Sequence, residues 1–196
     1  MTRAELVQEV VDRGYNYVAP VRIGKFIDRA YRKICSRYPW PFLEASTTGV
    51  ASFEIADLGK VLSVSANETP LPGRDRRWAA GVFPDLTQTG AATFWYLENR
   101  TLKVFPVDTA EVTVRYIKRP ATLADSDTPV MPEEWQHLLV DFAVIHCLKD
   151  DDEVQEGQVL RAEWREELAE MVHAELGPNY QNAEVIIRTG EAGDYL

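Results

Sequence analysis

The chain has 196 residues, 45% of them hydrophobic and 27% charged, with a formal net charge of -10. That length suits one domain or one domain with an insert, and the apolar share is enough to bury a core. No run of about 18 apolar residues exists, which excludes a membrane-spanning helix. The charge is unevenly spread: residues 1–40 net +4, residues 41–123 net 0 and residues 124–196 net -14. A basic start and an acidic end argue against a general nucleic-acid binder. They suit a protein that meets copies of itself, or a partner, through complementary surfaces.

In chain order, Thr2 and Glu5 match a capping box that opens a helix over 3–13. These first residues have no apolar h-region and no cleavage site, so they read as helix and not as a signal peptide. Pro20 suits a first helical turn. The helix predicted over 21–38 places Ile23, Phe26, Ile27, Ala30, Tyr31, Ile34 and Tyr38 on one face, with Arg22, Lys25, Arg29, Arg32 and Lys33 on the remaining arc. Pro39 and Pro41 end it, and Trp40 and Phe42 anchor the exit. From 44 to 118 the pattern becomes strand. Val50, Phe53 and Ile55 form a first run, and Val61, Leu62 and Val64 a second, around a turn at Asp57-Leu58-Gly59. Residues 67–90 read as a loop with one helical turn near Trp78. A meander is expected over 93–98, 102–106 and 111–117, with tight turns at Asn99-Arg100 and at 107–110.

Two further helices are expected. The first, over 132–149, is amphipathic and buries Trp135, Leu138, Leu139, Phe142 and Ile145. The second, over 152–176, buries Val154, Leu160, Trp164, Leu168, Met171 and Val172; Asp151 or Asp152 caps it and Gly177-Pro178 stops it. Residues 177–196 lack helical periodicity and form an extended polar tail with an apolar island at Val185–Ile187. The expected fold class is therefore α+β: an antiparallel-type bundle of about four helices over 1–176, with an inserted antiparallel β subdomain over 44–118 and an extended C-terminal tail.

No phosphate loop, nucleophile elbow, dinucleotide fingerprint or zinc-helix motif is present. His137 and His146 are nine apart on one helix, which is about 180° apart, so they do not share a ligand. Cys35 and Cys147 match no metal or redox spacing and read as reduced core residues. The expectation is a non-enzymatic protein without cofactor or metal. The basic stripe of the second helix is a candidate for pairing with the acidic last helix of a neighbour, through Glu163, Glu166, Glu167 and Glu170. The tail, with Tyr180, Val185, Ile186, Ile187, Arg188, Tyr195 and Leu196, is a candidate for docking on a partner, since such a segment adds a strand or fills a groove only when bound.

The ordered set of motifs resembles the head-to-tail adaptor proteins of tailed bacteriophages over about residues 1–176. The residues that carry the likeness are Asp28, Ala30 and Ile34 followed by Tyr38-Pro39-Trp40; Leu102, Val104 and Pro106; and Tyr116, Pro120, Leu123, Asp125-Ser126-Asp127, Pro129 and Pro132, then Glu133-Glu134-Trp135. The chain departs from the pattern at Gly90-Ala91-Ala92, where the family often has Gly-x-Pro. The resemblance implies a structural virion protein at the head–tail junction, made in the host cytoplasm. Homo-oligomeric rings, usually of twelve copies, sit beneath the portal protein, extend the DNA channel and give the tail, through a tail-tube or nozzle protein, its docking surface. It further implies lateral contacts through helices 21–38 and 132–176, a C-terminal tail that reaches the portal, and hairpins near 46–66 and 93–117 on the tail side. Twelve copies would carry about -120, so packaged DNA would slide through without sequence-specific binding. Other readings are a head-closure or tail-completion ring, a small cell-wall hydrolase with two carboxylates, and a nucleic-acid-binding regulator using residues 22–37.

Overall fold

A computed structural model describes residues 1–83, 87–150 and 154–177. The chain forms an α+β protein of two compact units. One combines Met1–Phe42 with the described residues from Pro120 onward, and the other is Leu43–Arg119.

The helical unit opens as its first residues dictate. The Thr2 hydroxyl accepts a hydrogen bond from the Glu5 amide at 3.3 Å, and the Glu5 carboxylate accepts one from the Thr2 amide at 2.7 Å. This capping box starts α1 (Arg3–Val10), which passes into a wider turn over Val11–Tyr15 where Gly14 has a φ of 105°. Helix α2 (Pro20–Arg37) buries Ile23, Gly24, Ile27, Ala30, Tyr31, Ile34 and Cys35. Its exit is fixed by Trp40, fully buried, whose indole N–H donates to the Ile34 carbonyl at 2.8 Å. After a short turn at Glu133–Trp135 come α4 and α5, numbered after the short α3 of the β unit: α4 (His137–Asp150) and α5 (Val154–Leu176). The Gly177 amide closes α5 on the His173 carbonyl at 3.1 Å, with Gly177 at φ 77°. The expected caps Asp151 and Asp152 lie outside the described residues.

Helix α4 is not the one-faced helix that the spacing predicts. Leu138, Leu139, Val140, Phe142, Ala143, Val144, Ile145, Cys147 and Leu148 are all buried. The reason is tertiary: α1, α2 and α5 all pack against it, so apolar side chains are covered on several sides of the helix. Burial also pushes the Cys35 thiol up to about 12, which makes it an inert core group.

Arg3 holds the helical unit's separate stretches together. Its guanidinium donates to both Asp28 oxygens at 3.0 and 3.1 Å and also pairs with Asp125 in the connector after Pro120. The first backbone N–H groups of α1 donate to that connector too, Arg3 to the Asp127 carbonyl at 2.8 Å and Ala4 to the Asp125 carbonyl at 3.0 Å. Orphan donors of the helix start are thereby satisfied by a segment more than a hundred residues away. Gly24 makes this possible, because a Cβ there would lie 2.3 Å from the Arg3 guanidinium.

The β unit contains two sheets. The first has the order β1 (Glu44–Val50), β7 (Glu111–Lys118), β3 (Leu58–Ala66) and β4 (Thr69–Pro70); the second has β2 (Ser52–Glu54), β6 (Thr101–Phe105) and β5 (Phe94–Glu98). The hairpin turn at Asn99-Arg100 forms as expected, both residues having positive φ, 50° and 68°. Two expectations fail. The run before the Asp57 turn does not pair with the run after it, because β7 lies between β1 and β3. Residues 107–110 make no hairpin either. Strand β6 already has β2 on one edge and β5 on the other, so β7 pairs in the other sheet. The loop near Trp78 contains a longer helix than one turn, α3 (Arg76–Val82), capped by Asp75. Val64, Leu102, Val104, Val112, Val114 and Tyr116 belong to one apolar cluster, and Ala79, Phe94, Tyr96 and Phe105 to a second.

Arg3→Ala is expected to destabilise the protein by about 2–3 kcal/mol, since it strands a largely buried Asp28 carboxylate, 13% exposed. Gly24→Ala should also destabilise, but much less in the Arg3→Ala background, with a coupling of about 1 kcal/mol or more in a denaturant double-mutant cycle.

Candidate assembly surface

The five basic residues singled out on α2 are all exposed. Burial of the apolar face leaves them no other direction. Arg22 lies over the Phe26 ring at 5.7 Å, Lys33 lies over the Phe142 ring at 5.7 Å, and the Arg32 Nε donates to the Asp28 carbonyl at 3.2 Å. Their stems therefore cover apolar surface while the charges stay outside.

On α5, Glu163, Glu166 and Glu170 are exposed and follow one another at spacings of three and four, which forms one stripe. Arg161 sits about 200° from Glu163 around the helix, so α5 carries opposite charges on opposite sides. Glu167 is different. It is half-buried and faces His137, with Oε2 at 3.2 Å from Nε2. It therefore belongs to the α4–α5 contact and not to the outer stripe.

Among the described residues, other cations gather beside the basic arc of α2. Arg29 and Lys33 from α2, Lys149 from α4 and Arg161 from α5 all act on His146, which stacks on Phe26 at 5.2 Å and touches the Phe142 ring at 4.6 Å. Burial first, and then these four charges, push His146 down to about 4. Burial and Arg161 likewise lower Arg165. Lys149 and Arg161 are two of the four basic residues after position 123, and both act on His146 together with Arg29 and Lys33 of the basic helix from the other end of the chain. The α2 stripe was legible in the sequence. Its extension by α4 and α5 was not, because only the packing brings these helices together. The tail candidates Tyr180, Val185, Ile186, Ile187, Arg188, Tyr195 and Leu196 lie outside the described residues.

A histidine whose folded pKa is depressed favours the native state above its ordinary value, and that contribution is lost as the pH falls. Here the window runs from about 6.5 down to about 4. His146→Phe, which keeps the aromatic stacking, is expected to flatten the loss of thermal stability between pH 6.5 and 5, measured by thermal melts against the unaltered chain.

A family model described as SU10 adaptor protein matches residues 1–187. No curated protein matches the chain. The matched range takes in both units, the Asp28 and Asp125 motifs and both charged surfaces. The chain belongs to the SU10 adaptor protein family, a family of structural phage head-to-tail adaptors.

Proposed function

We propose that the chain builds a ring at the head–tail junction of the virion, below the portal, in which each copy sets its basic flank against the acidic stripe of the next. The observation that carries this reading is the placement of the charges. One side of the helical unit gathers Arg29, Lys33, Lys149 and Arg161, while Glu163, Glu166 and Glu170 line the opposite side of α5. A surface with one sign on each of two faces is suited to a head-to-tail contact, and such contacts close into rings when the rotation permits. Twelve copies is the number that the adaptor resemblance suggests. With -10 per copy, the assembled ring is strongly negative, which lets DNA phosphates pass without adhering. Residues 179–196 are assigned to portal docking, and the β unit to the tail side.

The test is electron microscopy of the protein mixed with the portal of its phage, beside mass measurement of the protein alone. The unaltered chain should add a symmetric ring to the portal. Arg29→Glu with Arg161→Glu should abolish the ring, as should Glu163→Lys, Glu166→Lys and Glu170→Lys together. A chain carrying all five changes should assemble with itself but not with the unaltered chain. Rings formed equally well by every variant would overturn the lateral contact. Deleting residues 179–196 should abolish portal docking, and unchanged docking would remove the tail from this role.

A further inference from the structure

We propose that His137, Asp141 and Glu167 form a binding site for one divalent transition-metal ion, zinc being the natural occupant, that joins α4 to α5. One ligand atom from each of the three residues lies within 4.8 Å of the others, and all three residues are half-buried. His137 and Asp141 are four apart on α4, which places them one above the other on the same face. Glu167 comes from α5 and stands opposite them.

The hydrogen bonds around the imidazole point to a cation. Nδ1 is 2.7 Å from the Glu134 carbonyl, which can only accept, so Nδ1 carries a proton. In the neutral ring Nε2 then has its lone pair free, and it faces the Glu167 carboxylate, also only an acceptor, at 3.2 Å. Two lone pairs at that distance repel unless positive charge lies between them. A second ring proton satisfies Glu167 alone. A divalent ion satisfies Nε2, Glu167 and the Asp141 carboxylate together. Arg13 donates to Asp141 Oδ1 at 2.6 Å, and the other oxygen of that carboxylate remains to bind the ion. An imidazole whose far nitrogen is held by a backbone carbonyl has its tautomer and ring plane set for ligation, the arrangement in which metal-binding histidines are usually found.

The donor set chooses among ions. One imidazole nitrogen with two carboxylates suits zinc and its first-row neighbours, whereas magnesium and calcium prefer all-oxygen sites. Three protein ligands leave a position for water, and partial exposure gives the ion a way in. The ion would fasten α5, which carries the acidic stripe, to α4 at the centre of the helical unit. The site and the ring contact are separate claims, since none of the three ligands is placed in the lateral surface proposed above.

The experiment is titration of the full chain with zinc by calorimetry, and with cobalt by its ligand-field absorption. Magnesium and calcium serve as controls, as do the variants His137→Gln, Asp141→Asn and Glu167→Gln. Thermal melts without metal establish that each variant is folded. One saturable zinc per chain is expected, with cobalt bands of low coordination number and affinity reduced by more than about tenfold in each variant, at least the effect of losing an outer-shell partner. Absence of saturable binding to the unaltered chain, or binding of equal strength in the folded variants, would overturn the site and leave His137 as a hydrogen-bond partner of Glu167 alone. Saturation by magnesium or calcium at similar concentrations would also overturn it, since the site would then have no preference for nitrogen-seeking metals.

Discussion

The helical unit depends on one guanidinium. Two stretches of chain build this unit, and an entire β unit lies between them in sequence. Arg3 reaches Asp28 on α2 and Asp125 on the returning connector, and the connector's carbonyls receive the first amides of α1. Charge-assisted hydrogen bonds at low exposure, such as Arg3 to Asp28, are among the stronger polar contacts available to a fold. Here Arg3 also acts as an index, since its pairing with the exposed Asp125 and the amides of Arg3 and Ala4 set the returning connector against the start of α1. Gly24 is the steric condition for that index, because any side chain there would take the space that the guanidinium crosses.

Once the stretches are joined, α4 occupies the centre and the charges have nowhere to go but the helices around it. The apolar side chains of α4 are covered by three helices, and the polar group at its entrance is satisfied inside the unit. Gln136, 2% exposed just before it, is satisfied by donating to the Met131 carbonyl at 3.3 Å and accepting from the amino group of Met1 at 2.8 Å. Basic residues from three helices then fall on one flank, and His146 beneath them stays neutral because a further positive charge would be both desolvated and repelled. This is the physical form taken by the sequence's uneven charge. A structural adaptor acts by presenting surfaces, and the sharpest features of this chain are two surfaces of opposite sign.

The β unit shows how far a strand pattern can mislead about neighbours. Alternation correctly marks β5, β6 and β7, and two pairs of left-handed residues each close a tight hairpin, Asn99-Arg100 between β5 and β6 and Asn67-Glu68 between β3 and β4. Pairing among the other strands is not local. Strand β7 inserts between β1 and β3, and β3 carries two register shifts, between Leu58 and Lys60 and between Val61 and Ser63, which turn Leu62 outward and break the expected alternation.

What the sequence determined by itself is what acts within a turn or two of chain. The Thr2–Glu5 box, the proline entry of α2, the stop at Trp40, the Asn99-Arg100 hairpin and the glycine end of α5 all follow from short-range sterics and hydrogen bonding. The ordered motifs also pointed to the adaptor family, and the aspartates among them, Asp28 and Asp125, prove to be partners of Arg3. Periodicity could not name that partner, nor foresee that three helices cover α4, that Glu167 turns inward to His137, or that Arg161 joins the basic helix. Each of these depends on which elements become neighbours, and that choice is made by burial summed over the whole unit, to which no single segment holds the key.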